Sequence, residues 1–249
     1  MSKPAILYDN RLGDGAPVAS STAAGEFAAA NLADWRPFTW WKPAVMPATV
    51  TVDAGTAKAA DYALVSGHDL GTRGATLEVR GSSDGFGAVD TLVASHAPAD
   101  DKPFMLSFGS VAWRHWRLRL TGAAAPALAI ASIGTLFEFP EYLEEGFDPL
   151  GREPKGQINR AVAGNPLGRV TDYELWSQRL EFRRLSKAWI KATFVPAWQS
   201  HLRDTAFVFA WDRVGDPTDL KLVVTEGGFE TPDPSGARAD LRFKLEAAI

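Results

Sequence analysis

The strongest constraint in this sequence is a two-residue alternation of apolar and polar side chains that recurs from one end to the other. In RHWRLRL (114–120), Trp116, Leu118 and Leu120 share one face, with Arg117 and Arg119 on the opposite one. In ATVTVD, Val50 and Val52 alternate with Thr49 and Thr51; in ATLEVRG, Leu77 and Val79 oppose Thr76, Glu78 and Arg80. ADLRFKLEA repeats the pattern near the C-terminus with Leu241, Phe243 and Leu245. Successive side chains of an extended strand point to opposite faces, so this period belongs to half-buried strands.

The rhythm divides the chain. Through residue 139, turn-forming clusters (DNRLGDG, GHDLGTRG, GSSDGFG, HAPADDKP) punctuate short strands, as in an all-β sandwich or barrel. GEFAAANLAD can form a short helix, and Asp84–Gly85 suits a tight hairpin turn because both residue types tolerate positive φ. Between Pro140 and Arg169 the period dissolves into Gly, Pro and charge, which reads as a linker or extended arm. Beyond it, Trp176, Leu180 and Phe182 share a strand face, and TAFVFAW is apolar on both faces, as in a doubly covered strand. Leu185, Ala188, Trp189 and Ala192 form a helical stripe, with the helix opening near Ser186 and stopping before Pro196. The expected organisation is a mainly β chain: a β-sandwich over 1–139, a linker over 140–167, and a smaller α+β domain with one helix over 168–249.

Composition narrows function more by exclusion than by assignment. No run approaches the roughly 20 apolar residues needed to cross a bilayer, so no membrane insertion is expected, and the N-terminus lacks the pattern of a secretory signal. Cysteine is absent, which removes disulfides, thiolate metal sites and cysteine nucleophiles. The net charge of −4 is shared evenly between the halves, without the basic excess of a nucleic-acid binder.

Catalytic patterns are scarce. His68, His96, His115 and His201 make no metal-binding spacing, and phosphate-binding loops are missing. GSSDG places Ser83 where a nucleophile elbow would have its serine, but a strand pattern follows instead of the required helix. Glu144–Glu145 and Asp100–Asp101 are adjacent pairs in polar loops, and read as solvated charge. The expectation is no enzyme, no catalytic residue, no metal and no cofactor.

Taken in order, NLADWRPFTWW, TVTVDAG, YALVSG, TLEVRGSSDGF, WRHWRLRL and IASIGTLFE resemble a discoidin-like, galactose-binding-type jelly roll, covering about Ala5 to Phe139. The family's disulfide is absent. The second half, with RLEF, a helix, TAFVFAW and a terminal alternating strand, is similar to the tail-tube-like domains of bacteriophage tails. Together these resemblances imply a structural virion protein of a phage tail tip or baseplate (a distal tail protein). It would form a homo-oligomeric ring that extends the tail tube, contact tube and hub proteins, and be made in the host cytoplasm. The alternative they imply is a carbohydrate-binding protein that recognises host surface polysaccharide.

The segment WRPFTWW (35–41) then has a mixed reading. The resemblance puts Trp40 or Trp41 in the core, and neighbours on an extended chain point to opposite faces, which leaves the other for a subunit contact or a sugar. Trp35 is expected to be partly buried beside the helix end. His68, Asp69 and Arg73, in the polar loop VSGHDLGTRG, could grip sugar hydroxyls, or could be plain solvated surface. The glycan site that this reading implies is Trp40, Trp41, His68, Asp69 and Arg73.

Overall fold

The computed structural model describes residues 2–232 and 236–248. The chain is mainly β and divides into two compact units. One contains Ala5–Glu138 together with Asp212–Leu220, and the other contains Ser2–Pro4, Phe139–Trp211 and residues 221–248. The chain thus leaves and re-enters each unit, so the position near residue 139 is one crossing among several.

The first unit is an antiparallel β-sandwich. Its strands are β1 (Ala5–Leu7), β2 (Val18–Ala19), β3 (Ala48–His68), β4 (Thr76–Ser82), β5 (Thr91–His96), β6 (Phe104–Thr121), β7 (Leu128–Gly134) and β8 (Phe137–Glu138). The main order is β2-β3-β6-β4-β5, β7 pairs with β3, and β1 pairs with β8. Register shifts at Asp53/Lys58 and Ala60/Tyr62 let the long strand β3 bend between β6 and β7. Gly55 sits at φ 75 inside β3 at the first of these irregularities. The alternating residues behave as their period requires: Val50, Val52, Leu77, Val79, Trp116, Leu118 and Leu120 are all buried in one core. GEFAAANLAD supplies a single 3₁₀ turn, Ala29–Ala33.

Asp84–Gly85 does not make a two-residue hairpin. Residues 83–90 wrap around the Asp84 carboxylate, which accepts hydrogen bonds from Ser82 Oγ and the Gly87, Ala88 and Val89 amides. Those donors hold its pKa down at about 2. A carboxylate with several amides to satisfy organises a wide loop more readily than a tight turn. No helix follows Ser83, so the nucleophile-elbow geometry is absent.

In the second unit the sheet order is β11-β12-β13-β10-β9, for β9 (Glu153–Arg160), β10 (Pro166–Ser186), β11 (Phe207–Ala210), β12 (Leu220–Glu230) and β13 (Arg238–Ala248). Leu241, Phe243 and Leu245 are buried as their alternation implies, and Phe207–Ala210 is covered on both faces. Trp176, Leu180 and Phe182 face the same core. Its centre is aromatic: Phe139 stacks on Phe182 at 4.1 Å, and Phe243 lies 5.5 Å from Phe194.

Two expectations change here. The stretch expected to be a linker forms most of an antiparallel hairpin, with β9 paired to β10 from Arg160/Pro166 to Glu153/Leu175. Its two strands lack the apolar alternation of a covered strand because both faces are solvated, so periodicity could not reveal them. Within the same stretch, Phe147 packs against Trp176, Phe209 and Trp211 of its own chain. The helix does open at Ser186, whose hydroxyl accepts the Trp189 amide, but it does not stop at Pro196. It runs to Leu202, with π turns at Ile190–Phe194 and Trp198–Leu202 on either side of the proline. A proline disrupts a regular α-helix through its missing donor and its clash with the preceding turn; wider turns relieve both. The buried face is accordingly Ile190, Phe194, Ala197, Trp198 and Leu202, while Ala188 and Ala192 are exposed.

Candidate functional site

The tryptophan segment is held from below and from both sides. Trp41 is fully buried, and its backbone exchanges hydrogen bonds with Leu128 in both directions, at 2.8 and 3.0 Å. Neighbouring side chains diverge, so Trp40 is left half-buried at the surface. The Asn31 amide donates to the carbonyls of Glu26 and Trp40. Asp34 accepts from the Arg36 amide and the Thr39 hydroxyl, which closes the intervening loop. Trp35 is buried at φ 59, just after the 3₁₀ turn. Phe38, at the crest of this loop, is 73% exposed. Composition alone could not single out Phe38, because an aromatic residue in a loop is as readily core as surface.

The loop after β3 meets the same ground. Leu128 pairs with His68 as well as with Trp41, and a Cβ on Gly67 would lie 3.9 Å from Trp40 Cη2. Asp69 accepts from the Ala127 amide at 2.6 Å and from Arg73 Nε at 2.9 Å. Asp69 and Arg73 bracket one helical turn, α1 (Leu70–Arg73), which ends at Gly74 in the left-handed region. Asp69 and Arg73 are partly exposed, their charges set against each other.

His68 is different. Its Nδ1 accepts the Leu70 amide, which leaves the proton on Nε2 to donate to the Lys102 carbonyl at 2.8 Å. Burial lowers its pKa, opposed by that carbonyl bond and by nearby aspartates. A neutral, enclosed imidazole with both nitrogens bonded to its own backbone has nothing to offer a sugar hydroxyl. Of the five residues read from sequence, His68 and Trp41 are thus interior, whereas Trp40, Asp69 and Arg73 reach the surface. Among the described residues no group of three or more His, Asp or Glu is placed to hold a metal, and no helix is long and apolar enough to cross a membrane.

No family model matches the sequence, and no curated protein matches it. Solved structures do resemble part of it. A chitosan-binding module 1 from a chitosanase/glucanase of Paenibacillus sp. IK-5 aligns at 18% identity and a TM-score of 0.45, over 51% of this chain and 98% of the module. A module from Clostridium perfringens, CpGH89CBM32-5, solved with GalNAc-β-1,3-galactose, aligns at 16% identity and 0.43, over 51% and 99%. The family 32 carbohydrate-binding module of C. perfringens NanJ, solved with galactose, aligns at 16% and 0.42, over 52% and 98%. At such identities and scores the likeness transfers neither ligand nor site to this chain.

Proposed function

We propose that the protein is a binder rather than a catalyst, and that its β-sandwich unit takes carbohydrate on the surface around Trp40 and Phe38. The observation that carries this reading is the exposed Phe38 beside the half-buried Trp40, on a loop pinned by Asp34 and Asn31. A sugar ring has an apolar C–H face and a polar rim. An aromatic plate on a loop that meets the polar loop of Asp69 and Arg73 through Gly67 and Leu128 suits both, and a loop already bonded in place loses little freedom when the ligand arrives. The test is binding of host-cell surface polysaccharide and of simple sugars to the wild type, Trp40→Ala and Phe38→Ala, with folding checked by circular dichroism. Loss of a stacking ring is expected to weaken binding about tenfold, or roughly 1.4 kcal/mol. Equal binding by all three removes the site.

A second reading has its own support. The ribbon of β9 and the first half of β10 carries exposed Ile158, Leu167, Val170 and Tyr173 with no core of its own behind them. Such a surface suits a subunit of a larger assembly: a phage tail-tip or baseplate protein forming a homo-oligomeric ring in the virion, beside tube and hub proteins. Mass photometry of the purified chain tests that assembly directly, and a chain that remains monomeric argues against it.

A further inference from the structure

A two-stranded ribbon is marginal in water unless something covers it. Here it extends beyond the sheet: β10 pairs with β13 only from Leu175 onward, so among the described residues the ribbon before that point has β strands on neither outer edge. It also brings two exposed apolar residues to one side. The register skips Asp172, which pairs with no residue of β9, so Val170 (opposite Gln157) and Tyr173 (opposite Lys155) fall on the same side. Lys155 on that side is already paired with Glu153. Among the described residues Asp172 has no ion-pair partner.

The same unit carries a complementary seat. A cleft of about 380 Å³ beside the start of the helix is floored by Ile190, Val195, Phe229 and Ala239, with Lys187 and Lys191 at its rim. Lys187 donates to the Gly236 carbonyl, whereas Lys191 is exposed and without an ion-pair partner among the described residues. The ribbon cannot fill the cleft of its own chain. Tyr173 and the helix start at Lys187 are separated by roughly 40 Å of extended strand β10.

We infer that the ribbon of one copy docks in the helix cleft of a second copy, with Tyr173 in the apolar floor and Asp172 against Lys191. This rests on the assembly reading above and names its contact. Because ribbon and cleft are different surfaces, the contact is head-to-tail and generates a ring if it closes, or a filament if it does not.

The test uses the full chain in a concentration series by mass photometry and analytical ultracentrifugation. It compares wild type, Asp172→Lys, Lys191→Asp and the double exchange. Both positions are exposed, so the variants are expected to fold, and circular dichroism checks this. The wild type is expected to associate, each single reversal to weaken association at least tenfold, and the double exchange to recover most of the loss. A wild type that stays monomeric throughout overturns both the docking and the assembly reading. Association that ignores the single reversals, or is not restored by the double exchange, overturns this docking while assembly by another surface stands.

Discussion

Strands β3 and β10 are the same length, 21 residues, and stand in opposite circumstances. β3 has β6 along most of one side, with β2 and then β7 on the other, and its buried positions run from Ala48 to His68. β10 is covered over its second half, where Trp176, Leu180 and Phe182 meet the aromatic core, and bare over its first half. Length and hydrogen bonding to one neighbour are shared; cover is not. Cover decides where a substitution is felt.

The largest effect is expected where β10 is covered. Phe243 lies opposite Leu180 and against Phe139, Phe182, Phe194 and Trp198. Phe243→Asp puts a carboxylate among those rings, at a cost on the order of 3 kcal/mol or more, and is expected to give insoluble protein. A soluble, normally folded variant breaks the comparison at once. Next come Leu64→Ala in β3 and Val170→Ala in the bare half of β10. The first empties a fully buried site and should cost about 2–5 kcal/mol in urea denaturation. The second is expected to change the stability of the isolated chain by less than about 0.5 kcal/mol. Equal losses mean that the ribbon is covered within its own chain.

The smallest effect concerns the end of β3. The folded-state pKa of His68 lies below its ordinary value of 6.5 because the ring is buried. Above the unfolded value both states are neutral and the full stability is present. As pH falls below it, the unfolded chain takes up the proton first, so stability declines towards the folded value. Thermal melts between about pH 7 and pH 5 should therefore show a decline that is shallower in His68→Gln. An unchanged slope makes the imidazole freely hydrated, contrary to its bonds to Leu70 and Lys102.

The same contrast explains what could be read from the sequence. β3, β6 and β13 announced themselves because one face is buried and the other wet, which imposes alternation on the residues. β9 has no dry face, so nothing in EPKGQINR marks it as a strand. The helix start is legible in the capping Ser186, whereas its passage through Pro196 is not, because wider turns supply a tolerance that local rules do not contain. At the candidate site, opposite facing of Trp40 and Trp41 follows from chain geometry, whereas their assignment depends on Leu128, far away in sequence. His68 looked like surface because its loop is polar; the carbonyl and amide that enclose it come from the backbone, which side-chain composition does not report.

The interleaving of the two units has a consequence for how the protein is made. Residues 212–220 belong to the unit that begins at Ala5, so most of the chain must leave the ribosome before that unit has all its residues, although strands β1–β8 are complete by Glu138. Domains generally fold as units in order of emergence; here the last residues of the first unit emerge after most of the second. A protease that nicks the chain near residue 139 likewise releases no complete half, because the polypeptide still ties each unit into the other at Trp211–Asp212 and Leu220–Lys221. The two units share one timetable of synthesis.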